Sequence, residues 1–103
     1  MRYLSVITEE HINIICQALY DTTPEYDWDK LLQLRLYKIR ERLSENPSIY
    51  QLSSEELDIL SMTLNDTLYV LDDIMKDLDD LDLRDCREYR EEIERLLGVF
   101  QRN

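Results

Sequence analysis

Residues 53–85 constrain the fold most, because they combine a helix-start signal with a long and regular apolar pattern. Ser53 and Glu56 have the spacing of a capping box, in which each side chain accepts a hydrogen bond from the other residue's backbone N–H. The apolar residues that follow recur every three or four positions, which is the period of one helix face: Leu57, Leu60, Leu64, Leu68, Leu71, Met75 and Leu78. The pattern therefore predicts a helix of about seven turns with one leucine-rich face.

Two shorter helices are predicted before this segment. The first begins after Thr8, a favourable N-cap, and ends near Tyr20. The second begins with Thr23 as N-cap and Pro24 at its first position, and it ends at Asn46 because the next residue is a proline. Apolar residues at helical spacing give each helix a core face: Ile12, Ile15, Cys16 and Leu19 in the first, and Trp28, Leu32, Leu36, Ile39 and Leu43 in the second.

A connector and a fourth helix complete the chain. Three connector residues, Ile49, Tyr50 and Leu52, are expected to fold onto the core. The fourth helix begins after a break within residues 79–83, with Asp82 as the expected cap, and its apolar residues alternate at spacings of three and four: Cys86, Tyr89, Ile93, Leu96 and Phe100. Because the junction contains no Gly or Pro to impose a reversal, one long kinked helix is the alternative for the third and fourth segments.

The composition fits a single all-α domain over residues 1–103. One Gly and two Pro argue against an all-β fold, which needs many turns. Four amphipathic segments with short connections predict a small antiparallel bundle of about four helices. No apolar run reaches the ~20 residues that span a bilayer, and the N-terminal apolar tract is too short for a signal peptide. We therefore expect a cytoplasmic protein, in which Cys16 and Cys86 are free thiols.

Negative charge limits the classes of partner. The formal net charge is −11, and residues 53–85 hold eleven Asp and Glu against Lys76 and Arg84, which gives that segment −9. Such a surface repels phosphates, so neither direct nucleic-acid binding nor binding to an anionic membrane is expected. The complementary partner is a basic protein surface.

Catalytic and metal-binding patterns are not found in the sequence. The single histidine, His11, has no second ligand at metal spacing, and one glycine cannot form a phosphate-binding loop. The aspartates of residues 77–85 do not follow the EF-hand pattern, since the loop glycine and the closing glutamate are missing. We predict a non-enzymatic protein with no metal and no cofactor.

A second stripe on the third predicted helix is the first candidate for surface recognition. It lies opposite the leucine face and changes from apolar and aromatic to acidic along the chain: Ile59, Met62, Asp66, Tyr69, Val70, Asp73, Asp77 and Asp80. Its apolar half either packs within the same chain or meets a partner, whereas its carboxylates favour exposure of the acidic half.

Residues 20–29 are the second candidate, because aromatic and acidic residues alternate there. This mixture suits recognition of Arg or Lys through stacking and ion pairs. Trp28 is in register with Leu32, so we expect it in the core. The partner-binding set predicted from both candidates is Tyr20, Asp21, Glu25, Tyr26, Asp27, Asp66, Tyr69, Asp73, Asp77 and Asp80.

A basic stripe on the second helix contains Arg35, Lys38 and Arg42. In an acidic molecule these cations are expected to pair with carboxylates of a neighbouring helix. The alternative is that they meet the acidic stripe of another copy in an isologous dimer.

The leading functional hypothesis is an inhibitor or adaptor that covers a basic surface of a partner protein. A narrower form is nucleic-acid mimicry, since Asp66, Asp73, Asp77 and Asp80 would advance by roughly 10, 6 and 4.5 Å along one helix. The alternative is a structural homo-oligomer with Ile59, Met62, Tyr69 and Val70 as self-interface. The composition resembles that of small acidic helical proteins of phages and mobile elements, and that resemblance assigns no functional residue.

Overall fold

The computed structural model describes residues 7–101, and the side chain of residue 101 is not included. Residues 1–6, which form most of the N-terminal apolar tract considered as a signal peptide, therefore lie outside the described residues. Within them the chain is a bundle of four helices without a strand, which confirms the predicted fold class. The helices are α1, Glu9–Thr22; α2, Lys30–Glu45; α3, Ser54–Met75; and α4, Asp80–Gln101; 3-10 turns lie at Thr23–Tyr26 and Ile49–Gln51.

All four helices contribute to one apolar core. Helix α1 lies centrally and packs against each of the other three. Ile15, Leu36, Leu64 and Ile93, one from each helix, are completely buried. Each of these residues belongs to the apolar face that the periodicity predicted. None of the helices in the described part of the chain is long and apolar enough to cross a bilayer.

Helices α3 and α4 are separate and form an antiparallel hairpin. The guanidinium of Arg90 binds the carboxylate of Asp72, with Nε 2.8 Å from Oδ1 and Nη2 3.4 Å from Oδ2. In a continuous helix, the Cα atoms of these residues would lie about 27 Å apart. The alternative of one long kinked helix is therefore wrong.

The reversal is made by aspartate and backbone hydrogen bonds rather than by glycine. The N–H of Asp77 donates to the carbonyl of Ile74 at 3.1 Å, so α3 ends in a tight turn. Helix α4 then starts at a new cap, where Oδ1 of Asp79 accepts from the N–H of Asp82 at 3.1 Å. The predicted cap, Asp82, was wrong by one turn, because both aspartates have side chains that can accept from a helix N-terminus.

The start of α2 also differs from the prediction. Helix α1 extends to Thr22, and the residues that follow form a 3-10 turn with Pro24 near its start. Helix α2 begins six residues later than its expected first position, with Oδ1 of Asp29 accepting from the N–H of Leu32 at 3.1 Å. Trp28 thus precedes the helix and is exposed, and the prediction that it packs in the core is wrong.

The connector and the α3 cap largely follow the sequence prediction. Ile49 and Leu52 are buried, whereas Tyr50 is exposed, contrary to expectation. The capping box of α3 is confirmed, because Ser53 N–H donates to Glu56 Oε1 at 3.0 Å and Glu56 N–H donates to Ser53 Oγ at 3.1 Å.

Candidate protein-binding surface

One hydrogen bond brings the two candidate segments together. The hydroxyl of Tyr26, in the first 3-10 turn, donates to Oδ2 of Asp66 on α3 at 2.5 Å. Tyr26 is only 5% exposed, so its ring belongs to the core and not to the contact surface predicted for it. Burial, together with the hydrogen bond to Asp66, raises the pKa of Tyr26, which keeps the hydroxyl protonated as a donor.

Buried threonines attach α1 to the same region of α3. The hydroxyls of Thr22 and Thr67 lie 2.8 Å apart, and Thr67 also donates to the carbonyl of Thr63 at 2.8 Å. All three threonines are buried and hydrogen-bonded, as buried polar groups normally are. The sequence analysis did not identify Thr63 and Thr67, although they lie three residues after Leu60 and Leu64 on the same helix face.

Trp28 lies at the protein surface next to Tyr26. Its ring centroid is 6.3 Å from that of Tyr26, with the two ring planes at 66°. The residue is 74% exposed. An exposed tryptophan next to a buried, anchored tyrosine has an apolar body available for contact with another molecule.

Asp66 has exposed apolar residues one turn away on either side of it in α3. Met62 is 40% exposed and Tyr69 is 67% exposed. Since residues three or four positions apart are neighbours on a helix, both lie next to Asp66. We call Trp28, Met62, Asp66 and Tyr69 the Trp28 surface.

Ile59 and Val70, the other two residues of the predicted self-interface, are less exposed to a second molecule. Ile59 packs against the core cluster, and Val70 is half-buried. Packing within the chain therefore accounts for part of the apolar half of the stripe, and only Met62 and Tyr69 project strongly into solvent.

The acidic half of the stripe is exposed but is not one continuous helix. Asp73 lies near the end of α3 with Lys76 Nζ at 3.3 Å, Asp77 lies in the turn, and Asp80 begins α4. All three aspartates are exposed, as expected. The regular helical rise stops at Met75, so the spacing that suggested nucleic-acid mimicry does not extend to Asp77 or Asp80.

The remaining predicted residues of the segment 20–29 are divided between internal contacts and solvent. Tyr20 is exposed, and the guanidinium of Arg40 lies 5.0 Å from its ring centroid. Asp21 is half-buried and accepts from Gln17 Nε2 at 3.0 Å. Glu25 and Asp27, which precede and follow Tyr26 in the sequence, are both exposed.

Two of the three cations of the α2 basic stripe, Arg35 and Arg42, pair within the chain, as expected. Arg35 lies 3.1 Å from Glu55, and Arg42 binds Glu56, so α2 is tied to the first turn of α3. A groove of about 460 Å³ beside these pairs is lined by three cations and three carboxylates: Arg35, Lys38, Glu41, Arg42, Glu45 and Glu56. This balance gives the groove no net charge with which to select an ion.

The single histidine has a structural role. Nδ1 of His11 accepts from the N–H of Thr8 at 3.0 Å and so closes a capping box at the start of α1. In residues 7–101, no three side chains of His, Cys, Asp or Glu are arranged to hold a metal ion.

Comparison of the chain with protein families, with characterised proteins and with solved structures gives no significant match. The geometry and charge of the surface are therefore the basis for any functional inference.

Proposed function

We propose that this protein is a non-enzymatic protein-binding module, an inhibitor or adaptor, that covers a basic surface of a partner protein with its Trp28 surface. The observation that carries the proposal is the exposure of Trp28 beside the Tyr26–Asp66 hydrogen bond. Tryptophan and tyrosine dominate the energetics of protein interfaces, because they bury a large area with few rotatable bonds. Trp28 and Tyr69 would supply this apolar contact.

Charge supports a basic partner in particular. Asp66 lies within the Trp28 surface, and exposed Glu25, Asp27 and Asp73 lie in the same two chain segments. In a chain with a net charge of −11, these carboxylates attract a cationic surface and accelerate its association. The aromatic residues would then supply the short-range contact that electrostatic attraction alone does not provide.

Affinity capture from a cell lysate tests the proposal when variants are compared in parallel. Trp28→Ala should lose the partner, and the triple substitution Asp73→Ala, Asp77→Ala and Asp80→Ala should retain it less well than the wild type, with the largest difference in low salt. Tyr50→Ala is the matched control, because Tyr50 is also an exposed aromatic residue but lies in the connector. Equal capture by Trp28→Ala and Tyr50→Ala would overturn the assignment of this surface.

Self-association through Ile59, Met62, Tyr69 and Val70 is the alternative, and exposed Met62 and Tyr69 favour it. Sedimentation at low and high salt distinguishes the two functions. The partner-binding proposal predicts a monomer in both conditions. A dimer that is insensitive to salt and is lost in Tyr69→Ala would support the alternative, since apolar contacts are not screened by ions.

A further inference from the structure

We propose that the Trp28 surface contains an arginine-recognising subsite, in which Asp66 binds a guanidinium of the partner and Trp28 stacks on it. This inference rests on the proposed function and specifies the partner, which would be a protein segment that presents arginine rather than any cationic surface.

The carboxylate of Asp66 is held in one orientation with one oxygen available. Oδ2 accepts from the Tyr26 hydroxyl at 2.5 Å. Among the described side chains, the Tyr26 hydroxyl is the one hydrogen-bond partner of Asp66, and Oδ1 is free. The side chain is half-buried, so a cation bound there is less screened by water than one bound to a fully exposed aspartate. A fixed acceptor also reduces the entropy lost on binding.

Trp28 provides the second part of the subsite. Indole is the aromatic group that attracts cations most strongly through its π face. The contact with Tyr26 is of the edge type, at 66°, so Tyr26 does not cover the indole with a parallel ring. Trp28 contacts Tyr26 through the two rings, and Asp66 contacts it through the hydrogen bond. The indole and the carboxylate therefore belong to one part of the surface, as a subsite for a single arginine-bearing segment requires.

Arginine fits this pair better than lysine. A guanidinium is planar, donates through a fork of N–H groups and stacks on aromatic rings, whereas an ammonium is a compact and strongly hydrated charge. The chain itself uses arginine in both ways. Arg40 lies 5.0 Å from the Tyr20 ring centroid, and Arg90 binds Asp72 with two nitrogens.

Fluorescence of Trp28 can test the subsite directly, because the chain contains only one tryptophan. An oligo-arginine peptide and an oligo-lysine peptide of equal length are titrated into the intact protein while tryptophan emission is followed. The subsite predicts a saturable change with oligo-arginine, at an affinity several-fold higher than with oligo-lysine. The preference should be lost in Asp66→Asn, where the amide oxygen can still accept from Tyr26 but the charge is gone.

Asp58→Asn is the matched control, since it removes the same charge from an exposed position on α3 two turns earlier. It should keep the preference for arginine, and circular dichroism should show both variants folded. Equal affinity for the two peptides overturns the subsite but leaves the proposed function intact on charge alone. No saturable change with either peptide also overturns the subsite, and partner capture with Trp28→Ala then decides whether the proposed function fails as well.

Discussion

The hydroxyl of Tyr26 donates to Oδ2 of Asp66 across forty residues of sequence. This hydrogen bond connects the first 3-10 turn to the middle of α3. Asp66 lies there between the apolar half and the acidic half of the second stripe of α3. Because Tyr26 occupies the core, Trp28 two residues later is left in solvent. The Trp28 surface therefore exists because Tyr26, and not Trp28, is the aromatic residue of this segment that is buried.

Removal of this hydrogen bond should cost measurable stability. Tyr26→Phe keeps the ring in the core but leaves Asp66 without its donor, and we expect the free energy of unfolding to fall by about 1–3 kcal/mol. Urea denaturation followed by circular dichroism measures the loss. Tyr50→Phe is the control, because Tyr50 is an exposed tyrosine in the connector, and it should change stability little. Equal stability of the two variants would contradict the importance of the hydrogen bond.

The buried threonine pair should show coupled energetics. Thr67→Val leaves the Thr22 hydroxyl buried without its partner, so we expect a loss of about 1–3 kcal/mol in the free energy of unfolding. In the double variant Thr22→Val/Thr67→Val neither hydroxyl remains, and the loss should be smaller than the sum of the single losses. A double-mutant cycle by chemical denaturation gives the coupling energy. Strict additivity would show that the two hydroxyls do not stabilise one another.

Alkaline pH should destabilise the protein through Tyr26, which is buried, and Tyr89, which is half-buried. Burial first, and then the neighbouring Asp66 and Asp21 carboxylates, raise the pKa values of Tyr26 and Tyr89 from the ordinary value of 10.0. The unfolded chain therefore releases these protons at lower pH than the folded protein does. Their contribution to stability is complete below pH 10 and decreases as the pH rises above it.

Urea titrations at increasing pH, with ultraviolet absorbance of tyrosinate as a second signal, measure this effect. Tyr26→Phe and Tyr89→Phe should each reduce the decrease in stability above pH 10 and remove part of the late tyrosinate signal. If the stability of both variants decreased above pH 10 as much as that of the wild type, Tyr26 and Tyr89 would not be the source of the effect.

Gly98 offers a stabilising substitution. It lies within α4, its backbone does not need the left-handed region, and a Cβ added there would meet no atom within 4 Å. Gly98→Ala should therefore raise the free energy of unfolding by up to about 1 kcal/mol, since alanine loses less conformational entropy in a helix. Thermal denaturation should show a higher Tm. A lower Tm would mean that the position is more crowded than the structure indicates.

Residues with a regular pattern were predicted well from the sequence. The capping box of Ser53 and Glu56 and the apolar faces that contain Ile15, Leu64 and Ile93 all occur where the spacing placed them. Such features depend on neighbours within one or two turns of the same helix, and a single sequence contains that information.

The site was harder to predict because it depends on two irregular connections. Trp28 has helical spacing to Leu32, but the 3-10 turn at Thr23–Tyr26 changes the register, and Tyr26 is buried instead. Likewise, several aspartates near the start of α4 could cap it, and the structure shows that Asp79 accepts the hydrogen bond from the N–H of Asp82. The hydrogen bond between Tyr26 and Asp66 joins residues distant in sequence, and no periodicity reports such a contact.

Mapping of amide chemical shifts by NMR, with the oligo-arginine peptide or a captured partner added to the isotope-labelled protein, tests the central claim most directly. Our account predicts that the largest changes occur in residues 25–29 and 62–73, which contain the Trp28 surface and its nearest acids. It also predicts that these changes weaken in Trp28→Ala. Changes confined to the α3–α4 turn, or spread evenly over the acidic surface, would contradict a defined binding surface at Trp28.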